Sequence, residues 1–72
     1  MKRSEAEPMI LQEWRSWASE HVAPGERRDG NTGLAFYRYL QQERSWMLDF
    51  PAKGDRWQDV HAMLLGHKEV FA

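Results

Sequence analysis

Two clusters of helix breakers constrain this chain more than any other feature. Ala23-Pro24-Gly25-Glu26-Arg27-Arg28-Asp29-Gly30-Asn31 is the longer, and Phe50-Pro51-Ala52-Lys53-Gly54 the shorter. Proline lacks the N–H and glycine costs backbone entropy, so neither cluster suits a helix interior. Around them lie three segments of helical length. The alternation needed for strands is absent and β-branched residues are rare. With 72 residues there is room for one domain. The pattern predicts an all-α domain, a small three-helix bundle in up-down-up order, with no sheet.

The first helix is expected near residues 5–22. Ser4-Glu5-Ala6-Glu7 fits a capping box, and Pro8 falls in the first turn, where its missing donor does little harm. Ile10, Leu11, Trp14, Trp17, Ala18, His21 and Val22 share one face. The second helix is expected over 32–49, capped by Asn31 or Thr32. Its polar arc is narrow (Arg38, Gln41, Gln42, Ser45, Asp49), which places it at the centre against both neighbours. The third is expected over 55–66, with Asp55 as cap, Gln58 completing a box and Gly66 ending it. His67 to Ala72 form a tail, with Val70 and Phe71 folding back onto the core.

A bundle this small struggles to bury enough apolar surface. Trp14, Trp17, Trp46 and Trp57 address that problem. At roughly 200 Å² and ~25 cal/mol/Å², each buried indole contributes about 5 kcal/mol gross. Core filling by Trp14, Trp17 and Trp57 against the second helix is the expectation.

The charges narrow the function classes. Ten Lys/Arg stand against eleven Asp/Glu, interspersed, for a net charge of −1. That is not the basic excess of a protein that grips phosphate backbones. There is no cysteine, which excludes disulfides and thiolate zinc sites. Neither a signal-peptide apolar region nor a run of ~20 apolar residues is present, so a soluble, cytoplasmic protein is expected.

Three ionisable residues fall where core is expected: His21, Glu43 and His61. Glu43 lies between Phe36 and Met47 on the wheel, and a lone buried carboxylate needs a partner. If the second helix runs to Asp49 and the third starts at Asp55, Glu43 and His61 come level in an antiparallel hairpin. They are expected as a buried polar pair with a structural role. Two ligands make a poor metal site, and no nucleophile accompanies them. His21, in the last turn of the first helix, is expected to bond free carbonyls.

No catalytic constellation stands out, and no enzyme activity, cofactor or metal is expected. Leu64-Leu65-Gly66-His67-Lys68 resembles a short stretch near the active site of tyrosine recombinases. That family's arginines, second histidine and tyrosine have no counterparts here in matching order, so no role is carried over. The first functional expectation is a non-enzymatic protein–protein interaction or regulatory module with an aromatic-rich helical face. Leu34, Tyr37, Tyr39, Trp46 and Leu48 are its candidates, the partner being an unknown protein or, as a variant, a second copy. The alternative is a helix-turn-helix DNA-binding regulator using the second and third helices, with Arg27, Arg28, Arg44, Lys53 and Arg56 as its basic residues. The charge disfavours nucleic acid, and no membrane partner is expected.

Overall fold

The first helix, α1, spans Arg3–His21. The structure, a computed structural model, describes residues 1–52 and 54–70. Lys2 rather than Ser4 stands at the N-cap, and its backbone N–H donates to Glu5 Oε1 at 3.2 Å. Because Glu5 closes the first turn, the helix begins earlier than the Ser4–Glu7 box implied. Pro8 then lies inside the helix. The carbonyl it leaves unbonded, four residues back, belongs to the exposed Ser4.

The second helix, α2, spans Gly30–Glu43. Asp29 caps it, not Asn31 or Thr32. Its carboxylate accepts the N–H groups of Asn31 and Thr32 at 3.0 and 3.1 Å. Thr32 Oγ1 accepts the Asp29 N–H in return, at 3.4 Å. The Asp29 carboxyl is held below its ordinary range, chiefly by the Thr32 N–H. The third helix, α3, spans Arg56–Gly66, and Asp55 caps it as expected by accepting the Trp57 N–H at 3.0 Å.

The main departure lies between α2 and α3. Helix α2 stops at Glu43, and Ser45–Leu48 form a 3₁₀ turn instead of two further α turns. Arg44 takes φ −139° and ψ 42°, outside the helical region. The gain is visible in the core: Met47, Leu48 and Phe50 are all buried. The turn redirects the chain after Glu43, so that Met47 and Leu48 face the core while Trp46 faces water. The break lets both enter the core, at roughly 1.5–3 kcal/mol per buried side chain.

The helices form a three-helix bundle, and no strand occurs among the described residues. Its centre holds Ile10, Trp14, Phe36, Leu40, Val60, Met63 and Leu64. Helix α2 is not the sole centre, because α1 and α3 also meet directly and the 3₁₀ turn packs on both α1 and α2. Trp14 is fully buried and meets Phe36 edge-on at 5.3 Å. Trp17 and Trp57 are half-buried, and each touches α2: Trp17 meets Phe36 at 5.5 Å and Trp57 meets Tyr37 at 5.6 Å. In the tail Val70 returns to the core. Phe71 lies outside the described residues.

Candidate functional site

The break after α2 creates the most exposed aromatic group described. Trp46 is 56% exposed, whereas the other described tryptophans and tyrosines are buried or half-buried. It sits on the 3₁₀ turn, turned outward while its neighbours Met47 and Leu48 turn in. Its chain neighbour Ser45 belongs to an open groove of about 460 Å³, lined also by Tyr37, Gln41, Leu48, Asp49 and Arg56, which Trp46 itself does not line. The Tyr37 phenol is shifted upward, first by burial and then by the nearby Asp55 carboxylate, with Arg56 opposing. It stays neutral, and the groove carries one acid and one base.

The five expected interaction residues do not make one face. Tyr37 and Tyr39 are two positions apart, about 200° around the helix. Tyr37 faces α3 through Trp57, while Tyr39 faces α1, stacked on Phe36 at 6.1 Å and within 6.4 Å of Trp17. Leu48 is buried, though it still lines the groove with Tyr37. Leu34 is half-buried and outside that groove. Trp46 alone presents a large apolar surface.

Tyr39 instead belongs to a polar clasp that holds the end of α2 to α1. Its hydroxyl donates to the Glu13 carboxylate. Arg44 lies 3.6 Å from the same carboxylate, sits over the Tyr39 ring at 5.8 Å, and caps the Glu43 carbonyl at 2.8 Å. The hydrogen bond to Glu13 is the main cause of the upward shift of the Tyr39 phenol, aided by burial and by the Glu13 charge. Glu13 lies half-buried at the edge of the polar side of α1. The sequence cue to it was positional, a carboxylate next to the apolar face of α1 within reach of an aromatic helix.

The Glu43–His61 pair does not exist. Glu43 is exposed. With α2 shortened and residues 44–55 forming a longer connection, the antiparallel register changes. His61 comes level with Gly30, at the start of α2, where a Cβ on Gly30 would lie 4.0 Å from its Nε2. The imidazole stacks flat on Trp57 at 4.9 Å and 9°, and its buried Nε2 has no hydrogen-bond partner in the structure. His21 is exposed and stacks on Trp17 at 5.2 Å rather than lying in the core.

The expected basic residues do not form one recognition surface. Arg44 is engaged in the clasp, and Arg56 lines the Tyr37–Asp49 groove. Arg27 and Arg28 belong to the α1–α2 loop, and Lys53 lies outside the described residues. The α2–α3 connection spans 44–55 and includes a 3₁₀ turn. It is far longer than the three- or four-residue turn of a helix-turn-helix.

Among the described residues no three His, Asp or Glu side chains are grouped to hold a metal ion, and no helix is long and apolar enough to cross a membrane. Comparison with protein-family models, with curated proteins and with solved structures found no match.

Proposed function

We propose that this chain is a small non-enzymatic protein–protein interaction module whose anchor is Trp46. The observation that carries the reading is the exposure of an indole on an ordered turn whose neighbours are core residues. Tryptophans set in a rigid frame are among the commonest binding hot spots, because a large apolar area is buried at little cost in side-chain entropy. The Tyr37–Asp49 groove, lined by its chain neighbour Ser45, supplies a rim with one phenol, one carboxylate and one guanidinium. That combination suits a protein partner that inserts an apolar side chain beside Trp46 and hydrogen-bonds at the edge. Self-association through the same turn is the homodimer form of this reading.

A photo-crosslinker placed at Ser45 tests it in the native host. The expected outcome is one dominant crosslinked protein, strongly reduced by Trp46→Ala and unchanged by Gln12→Ala on the exposed face of α1. Sedimentation equilibrium separates a second copy from a different partner. Equal capture with and without the indole would overturn the proposal.

A further inference from the structure

We propose that the open groove between the α1–α2 loop and the end of α3 binds a phosphomonoester dianion through Arg27, Arg28 and Lys68. The groove encloses about 650 Å³ and is lined by those three cations with Gly25, Glu26 and Glu69. Its volume lies in the range of small-ligand sites. It lies in a chain of net charge −1, yet three basic residues line it against two acidic ones.

Its two carboxylates keep their negative charge, but their oxygens are held by other donors. Glu26 accepts the Ala23 N–H at 3.0 Å. Glu69 is clamped by Trp14 Nε1 at 3.3 Å and by Arg15 Nε at 3.0 Å. The nearby Asp29 carboxylate is likewise engaged by the N–H groups of Asn31 and Thr32. Among the cations, Arg27 acts on the Asp29 carboxylate and helps hold its pKa down, whereas neither Arg28 nor Lys68 forms an ion pair within 4 Å among the described residues. Arg28 lies over the Trp14 ring at 5.9 Å, which positions the guanidinium without neutralising it.

The second observation is the backbone at Lys68. Helix α3 ends in a Schellman arrangement: the Glu69 N–H donates to the Leu64 carbonyl at 2.8 Å and the Lys68 N–H to the Leu65 carbonyl at 3.0 Å. That arrangement places one residue in the left-handed region, and the residue is Lys68, at φ 57°. Glycine is the comfortable occupant there, and any L side chain is strained. The chain carries that strain at the one residue of the motif whose cation lines the groove. Strain held at a concave charged surface points to a binding role. A planar guanidinium pair with a point-charge ammonium is a donor set suited to a compact oxyanion.

The test is a ¹H–¹⁵N titration of the whole chain with inorganic phosphate at about pH 7.5, where a phosphate monoester carries close to two charges. Sodium chloride at matched ionic strength is the reference. The expected result is saturable shifts confined to residues 25–28 and 67–69, with glycerol 3-phosphate producing the same pattern. Pelleting with phosphatidate vesicles, competed off by glycerol 3-phosphate, would assign the phosphate to a lipid headgroup. Saturation without pelleting would assign it to a free ligand. Arg28→Gln should weaken binding about fivefold to tenfold, the effect of losing one charge-assisted contact. Lys68→Gly should weaken it similarly while raising the melting temperature, which separates loss of a ligand contact from loss of fold. Trp46→Ala should bind phosphate as the parent does, so this inference and the Trp46 reading fail independently. Linear shifts matching those with chloride, or undiminished binding by Lys68→Gly, would overturn the proposal.

Discussion

The two interfaces of α2 are built on opposite principles. Toward α1 the space is filled by rings: Trp14, Trp17, Phe36 and Tyr39 lie between the helices in a run of edge-on, tilted and stacked contacts. Toward α3 the space is removed. Gly33 is buried, and a Cβ there would lie 3.3 Å from Trp57 Cη2 and 3.6 Å from Leu64 Cδ1. One interface is filled by rings from both helices; in the other a glycine lets Trp57 and Leu64 of α3 lie against the α2 backbone, with Tyr37 meeting Trp57 alongside. In a ring-filled interface each lost ring leaves a cavity that its neighbours cannot collapse. Across the glycine the penalty runs the other way, from adding atoms.

The largest effect should therefore come from emptying the α1 side. Phe36→Ala removes a fully buried ring in contact with three others and should cost about 3–5 kcal/mol, read by denaturant unfolding. A loss below about 1 kcal/mol would show that the two interfaces do not differ in kind.

Next comes filling the α3 side. Gly33→Leu introduces a good helix former but adds volume where Trp57 and Leu64 already stand, so a cost of about 1–3 kcal/mol is expected. Gly33→Ala sharpens the point. The half-buried Trp57 ring has to yield only a few tenths of an ångström, and alanine regains about 1 kcal/mol of helix propensity. Stability within about 0.5 kcal/mol of the parent is expected. If the Gly33→Leu protein were as stable as the Gly33→Ala protein, close approach would not define this interface.

The start of α2 serves both interfaces and is pH-sensitive. Asp29 has a folded pKa below its unfolded value, so its contribution is fully present above the unfolded value of 3.8 and is lost as pH falls through the lowered folded one. Asp29→Asn should flatten the acid limb of a stability–pH profile. An unchanged limb would remove Asp29 from the account.

Lys68→Gly should have a small positive effect. Relief of the left-handed strain, about 1–2 kcal/mol, exceeds the added freedom of the unfolded chain, about 0.4–1 kcal/mol. A modest rise in melting temperature is the expected result. Trp46→Ala belongs to neither interface, and since 56% of the residue is already in water, a loss of no more than about 2 kcal/mol is expected in denaturant unfolding.

Much of this architecture can be read from the chain itself. The breaker clusters separate the helices, the apolar periodicity of α1 names Ile10, Leu11, Trp14 and Ala18 as inward, and Asp55 marks the start of α3. These are local properties, decided by backbone preference and by the 3.6-residue repeat within one segment. Where α2 stops is not local. Residues 44–49 carry no Pro or Gly, and their helical pattern is acceptable in isolation. The break is settled by what lies opposite: a clasp of Glu13, Tyr39 and Arg44, and core space for Met47, Leu48 and Phe50. That break shifts the register of α2 on α3, moves His61 from Glu43 to Gly30, and turns Trp46 into water. The groove at Lys68 is likewise tertiary, since the α1–α2 loop and the end of α3 meet only when the bundle closes. Sequence periodicity determines which residues of a helix face inward; only the packed neighbours decide how far each helix runs and which distant side chains come to share a surface.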